Sequence, residues 1–137
     1  MEFRTTNEPP PHVHEREHEY FVLEGTMRFY CEDKILDIGP GEVVFLPQGK
    51  AHAFTCTSSV VRTLIFVQAT GKDAVGLDSY FLAMGEPAIS MVLPESAVTY
   101  AVDDPEHAIR VGDSNDLRIL SPSESQRALP QYPGLKS

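Results

Sequence analysis

From residue 18 to residue 68 the chain alternates short apolar runs with sharp polar breaks. "HEYFVLEG" ends at Gly25, and "TMRFYC" follows. A Glu-Asp turn leads to "KILDI", and Gly39-Pro40-Gly41 interrupts the chain before "EVVFLP". Pro47-Gln48-Gly49 then precedes "HAFTC", and "VVRTLIFVQ" closes the series. β-Branched and aromatic residues fill the runs, no helical period extends through them, and the breaks hold turn formers, so the pattern predicts strands. Strands this short and evenly spaced predict an all-β sandwich or barrel.

The pattern changes after residue 70. "GLDSYFLAMG" sets Leu77, Tyr80, Phe81 and Met84 at helical spacing, with Gly85 and Pro87 as stop signals, which predicts a helix packed against the outside of the barrel. "DDPEHAIRV" predicts a second helix, with Asp104 as N-cap and Pro105 at the first helical position. His107 falls in its first turn and reads as a solvated surface group. "SPSESQRALPQYPGLKS" is rich in Ser, Pro and Gln and reads as an arm or loose tail. The expected layout is a barrel core over 1–70, a helical or strand extension packing on it over 71–120, and a flexible C-terminal arm over 121–137.

Composition narrows the function classes. The 137 residues suit one domain with a real core, and a net charge of −9 leaves no basic stripe to follow a phosphate backbone or an anionic membrane. Apolar runs are too short to span a bilayer, and "MEFRTTNEPPP" lacks the features of a secretory signal. The chain therefore reads as cytoplasmic, binding neither nucleic acid nor membrane. Cys31 and Cys56 form no CxxC pair and read as small buried hydrophobes.

Candidate chemistry lies in "PPPHVHEREHEYFVLEG", where His12, His14 and His18 fall within seven residues. On an extended segment their spacing of two, then four, sends all three side chains to one face. His52 begins the strand after the Pro47–Gly49 turn and would join them from a neighbouring strand. Unpartnered imidazoles gathered in a core would be costly, so the cluster points to a metal site.

These residues resemble the two motifs of the cupins. The second motif is Gly, five residues, Pro-x-Gly, two residues, His, three residues, Asn; it maps onto Gly41, Pro47, Gly49 and His52, with Cys56 where asparagine is usual. The first motif maps onto His12, His14 and Gly25, with Thr6 at its opening glycine and His18 where glutamate is usual. The resemblance implies a cupin double-stranded β-helix, or jelly-roll, barrel with a short α-helical C-terminal extension. It also implies one divalent transition metal per chain (Fe, Mn, Ni, Cu or Zn) at the open end, held by His12, His14, His18 and His52. A bulge would bring in Glu19 instead of His18. The later residues are similar to the tail of small cupins related to quercetin 2,3-dioxygenases. Only eleven residues precede His12, fewer than most cupins have, so one sheet edge is expected to be open and completed in a homodimer.

Four neutral imidazoles leave the full charge on the metal, which favours small enolate, phenolate or diketone-type substrates. The leading expectation, implied by the quercetinase-like resemblance, is a dioxygenase or other oxidoreductase, with Glu19 or Tyr20 assisting proton removal. The second is a redox-neutral isomerase, lyase or cyclase using the metal as Lewis acid. The third is a non-catalytic small-ligand-binding module. Inward register assigns Tyr20, Val22, Phe54 and Cys56 to the substrate pocket.

Overall fold

Six of the strands, four to eight residues long, arise in the apolar runs between residues 18 and 68, and turn-forming residues mark the breaks between them. The computed structural model describes residues 1–5, 8–68, 77–85, 87, 90 and 104–134. Its strands are β1 (Glu2–Arg4), β2 (His12–His14), β3 (His18–Glu24), β4 (Met27–Cys31), β5 (Lys34–Ile38), β6 (Val43–Leu46), β7 (Ala51–Cys56) and β8 (Val60–Val67). Three helices and one more strand follow: α1 (Leu77–Met84), α2 (Pro105–Asp113), β9 (Leu117–Ile119) and α3 (Pro122–Ala128).

The strands form two antiparallel sheets, ordered β1-β8-β3-β6 and β5-β4-β7-β2-β9. Their inner faces enclose one apolar core that includes Val22, Met27, Phe29, Leu46, Phe54 and Val61, each fully buried. Removing such a side chain from water is worth about 1.5–3 kcal/mol, and this layer anchors the sheets to one another. The β3–β4 turn is fixed by Gly25, whose φ of +80° is open to glycine, and whose missing Cβ leaves room for the Val60 carbonyl oxygen.

Two segments complete the sheets. β1 lies along β8, pairing Phe3 with Val61, so the eleven residues before His12 do supply an edge strand. β9 lies along β2, pairing His12 with Ile119 and His14 with Leu117. This strand was not anticipated, because its three residues are too few to show an alternation. Thr6, the opening position of the first motif, lies outside the described residues.

The helices form where the caps allow. Asp104 accepts a hydrogen bond from the His107 amide, Pro105 opens α2, and His107 is exposed. Residues read as an arm or loose tail contain α3, which starts with a reciprocal capping box between Ser121 and Glu124. Beyond it, Leu129 and Tyr132 pack on Tyr30 and Ala53, covering part of the outer face of the second sheet.

Candidate metal centre

β2 delivers two of the histidines. It is only three residues long, and all three are buried, with His12 and His14 on the inner face. His12 stands directly opposite His52 of β7 in the ladder. The turn before β7 is tied to β2 by a bond of 2.8 Å from the Gly49 amide to the His14 carbonyl oxygen. Gly49 adopts a φ of +72°, so the glycine of the second motif both turns the chain and sets His52 against the pair.

His18 arrives differently from the expectation of one shared extended face. After His14 the chain leaves the second sheet, crosses through residues 15–17, and enters the first sheet as β3. The crossing is held by bonds from the Glu15 amide to the Asp116 carbonyl oxygen and from the Gln68 amide to the Glu17 carbonyl oxygen. His18 consequently faces the others from across the barrel rather than from alongside them. Its ring centroid is 4.3 Å from that of His14 and 4.7 Å from that of His52.

The ring nitrogens of His12, His14 and His52 that could act as ligands lie within 4.8 Å of one another, and these three histidines could hold a metal ion. The Nε2 atom of His18 is 3.1 Å from that of His52. All four rings are at most 4% exposed.

The outer nitrogens are oriented by backbone. His12 Nδ1 is 2.7 Å from the Pro10 carbonyl oxygen, His52 Nδ1 is 2.9 Å from that of Lys50, and His18 Nδ1 is 3.4 Å from that of Arg16. In each case the partner is two residues earlier. A carbonyl can only accept, so it selects the tautomer with the proton on Nδ1 and leaves the Nε2 lone pair pointing inward. Such carbonyl bonds are also what fixes ring orientation in metal-ligating histidines.

Burial holds the imidazoles neutral. Desolvation lowers all four below their ordinary value, His52 well below it. The same cause, reinforced by its neighbouring histidines, brings His14 down to about 2, and His18 falls to about 4. With both protons on Nδ1, the Nε2 atoms of His18 and His52 would set lone pair against lone pair, an arrangement that a cation relieves. Their separation suits one: nitrogens about 2.1 Å from a common ion and at right angles to one another are about 3 Å apart. The residues therefore fit a metal ion, with His12, His14 and His52 the three that could hold it.

Glu19 lies on the opposite face of β3 from His18 and Tyr20, half-buried. The pairing of β3 with β8 is regular there and shifts only between Val22 and Glu24, so no bulge turns Glu19 inward. Tyr20 is directly below His18, with ring centroids 5.8 Å apart, and packs on Phe29 and Phe54.

His12 and His14 open onto a cavity of about 40 Å³. His12, His14 and Tyr20 line it with Phe3, Ile65, Leu117 and Ile119 of the barrel. Leu77, Tyr80 and Phe81 of α1 close it. No charged side chain lines this cavity among the described residues. Val22, Phe54 and Cys56, expected on the pocket wall, are packed deeper in the core, one or two layers below His18 and His52. Tyr80 and Phe81 were read as exterior helix packing; their helical spacing carried no sign of which surface they would cover. Cys31 is half-buried on β4 and lies outside the cluster.

Residues 1–67 match the family described as the cupin domain. A search of curated proteins gave no match. Among solved structures, the chain is similar to the polyketide cyclase RemF from Streptomyces resistomycificus, with 36% identity over 48% of this chain and 49% of that one, at a TM-score of 0.44. It is similar to the DMSP lyase DddQ from Ruegeria pomeroyi, with 28% identity over 53% and 38% of the two chains and a TM-score of 0.47. A predicted oxalate decarboxylase from Thermotoga maritima shows 23% identity over 49% and 60%, at 0.45. The chain spans less than two thirds of the length of each of these proteins.

Proposed function

With residues 1–67 of the chain forming a cupin domain, we propose that the protein is a metal-dependent enzyme whose four histidines, His12, His14, His18 and His52, hold one divalent transition ion. Its substrate is a small molecule bearing an ionisable or chelating oxygen, of the enol, phenol or diketone type. The observation that carries this reading is the inward set of neutral imidazole nitrogens at the wall of an otherwise apolar cavity. The ion would supply Lewis-acid polarisation of a substrate oxygen, undiminished by any anionic ligand.

The chain's own residues do the rest. Pro10, Arg16 and Lys50 carbonyl oxygens hold the imidazoles of His12, His18 and His52 in the ligating tautomer. Leu77 and Phe81 add apolar side chains to the cavity wall, and a less polar surrounding strengthens electrostatic interactions there. Tyr20 and Tyr80 bring the two phenols in the cavity lining and can orient a substrate by hydrogen bonding.

With Glu19 turned outward, no carboxylate among the described residues lines the cavity at the histidines to serve as a base. This favours redox-neutral chemistry, an isomerase, lyase or cyclase reaction in which polarisation itself acidifies the substrate. The oxidative reading, a dioxygenase, is favoured by a different feature: an apolar cavity beside the metal admits molecular oxygen readily.

The experiment is anaerobic incubation of the metal-loaded protein with simple β-diketones and phenols in D2O, followed by oxygen-uptake measurements on the same panel. Metal-dependent deuterium exchange at the carbon acid without oxygen consumption is expected for the redox-neutral reading. Metal-dependent oxygen uptake supports the oxidative one. Absence of both across the panel would reject the enzymatic reading in favour of a binding module.

A further inference from the structure

The four histidines do not come from one sheet. His12, His14 and His52 stand on the paired strands β2 and β7 of the second sheet, whereas His18 opens β3 in the first. One ion shared by all four therefore depends on where the crossing through residues 15–17 sets His18. Of the three carbonyl contacts that orient the rings, the one at His18 is the longest, 3.4 Å to the Arg16 oxygen. The placing of Arg16 is thus decisive for His18, and a residue 100 positions later fixes it. Arg16 Nε and Nη2 both donate to Asp116 Oδ2, at 3.1 and 2.8 Å. The Arg16 side chain is only 19% exposed, so this charge-assisted pair is screened less than a surface one.

Asp116 is itself held. It ends the α2–β9 turn, where the Asn115 amide donates to the Gly112 carbonyl oxygen at 2.8 Å and Asn115 Nδ2 to that of Val111 at 2.7 Å. The Asp116 carbonyl oxygen accepts from the Glu15 amide at 2.9 Å, which extends the β2–β9 ladder to the start of the crossing. Its φ is +57°, a left-handed backbone that residues other than glycine rarely adopt and that Asp tolerates better than most.

We propose that Asp116 is a positioning residue for the fourth ligand, a role that rests on the metal reading above. Through Arg16 it holds the crossing where His18 faces the ion shared by His12, His14 and His52. Asp116 lies beyond the 1–67 match to the cupin domain, so the C-terminal extension takes part in the metal centre. When the Arg16–Asp116 link is cut, His18 loses the support of its orienting carbonyl. The ion is then left to the three histidines of one sheet, whose nitrogens already lie within 4.8 Å of one another.

The test is titration of the metal-free full chain with cobalt(II), read by visible absorption, with His18→Ala supplying the three-histidine spectrum. Asp116→Gly removes the carboxylate and keeps the left-handed backbone comfortable, so the turn is expected to fold. Its cobalt Kd should rise about ten-fold, and its spectrum should move toward that of His18→Ala. Arg16→Ala cuts the same link with the turn untouched, and provides the same readout should Asp116→Gly fail to fold. Asp116→Asn, which keeps an acceptor for Arg16 and tolerates the backbone, should restore most of the wild-type affinity and spectrum. Arg118→Ala, which breaks the exposed pair with Glu124 on β9, should change neither. Wild-type Kd and spectrum in folded Asp116→Gly and Arg16→Ala would overturn the role of Asp116 and leave the metal reading standing. Weaker binding with an unchanged spectrum would overturn it too, as a general loosening of the fold. A wild type that takes up no cobalt would overturn the metal reading and this role with it.

Discussion

The histidines show how a residue's surroundings decide its chemistry. His107 is the one histidine in solvent, and its backbone amide donates to the Asp104 cap of α2. The other four lose their hydration, and burial disfavours their charged form. This has a consequence for the metal-free protein. Each folded-state value lies below the ordinary 6.5, so as the pH falls the unfolded chain takes up protons before the folded one does. Stability is therefore fully present above about pH 6.5 and declines below it, the contribution of His18 continuing down to about pH 4 and that of His14 to about 2. Each such histidine steepens the decline by about 1.4 kcal/mol per pH unit. Urea unfolding of metal-free protein between pH 7.5 and 5 should show a falling midpoint over a range in which ordinary carboxylates stay ionised. A midpoint independent of pH there would contradict neutral burial of the cluster.

At the scale of elements, the sequence announced those that carry their own local signals. β3 to β8 were legible because alternation and turn residues coincide, and α2 because Asp104 and Pro105 mark its start. β9 was not, since a strand of three residues acquires its identity only from pairing with β2. Likewise, nothing in "EREHE" states that the chain changes sheets between His14 and His18. His12, His14 and His18 were picked out by spacing and His52 by its place after the Pro47–Gly49 turn, yet their approach from opposite sides of the barrel depends on that crossing. Val22, Phe54 and Cys56 do face inward as the register implied, but period alone does not give depth, and they belong to the core. Gly25 links sequence motif to element geometry most directly. An added Cβ there would meet the Val60 carbonyl oxygen and Ser58 Oγ, and the backbone would stay in the left-handed region. Gly25→Ala should cost about 3 kcal/mol of stability, read as a lower denaturation midpoint with an unchanged slope. A loss below about 0.5 kcal/mol would mean that the β3–β4 turn can shift away from β8 without penalty.

For the whole molecule, the fold separates rigidity from chemistry along the barrel axis. Aromatic and aliphatic layers around Phe29, Phe54 and Met27 fix the two sheets at one end. The histidines occupy the other, where β2, β3 and β7 converge and α1 closes the cavity. The outer faces are handled unequally, one by the chain's own C-terminal segment and one left as an apolar surface. Whether this end of the barrel is a metal centre turns on the four histidines holding one ion together. The measurement that tests it most directly is metal content by elemental analysis after reconstitution, for the wild type and a His12→Ala/His52→Ala variant shown by circular dichroism to be folded. Near-stoichiometric metal in the wild type, lost from the variant, is the result predicted. A folded wild type that retains no metal, or a folded variant that retains as much as the wild type, would contradict it.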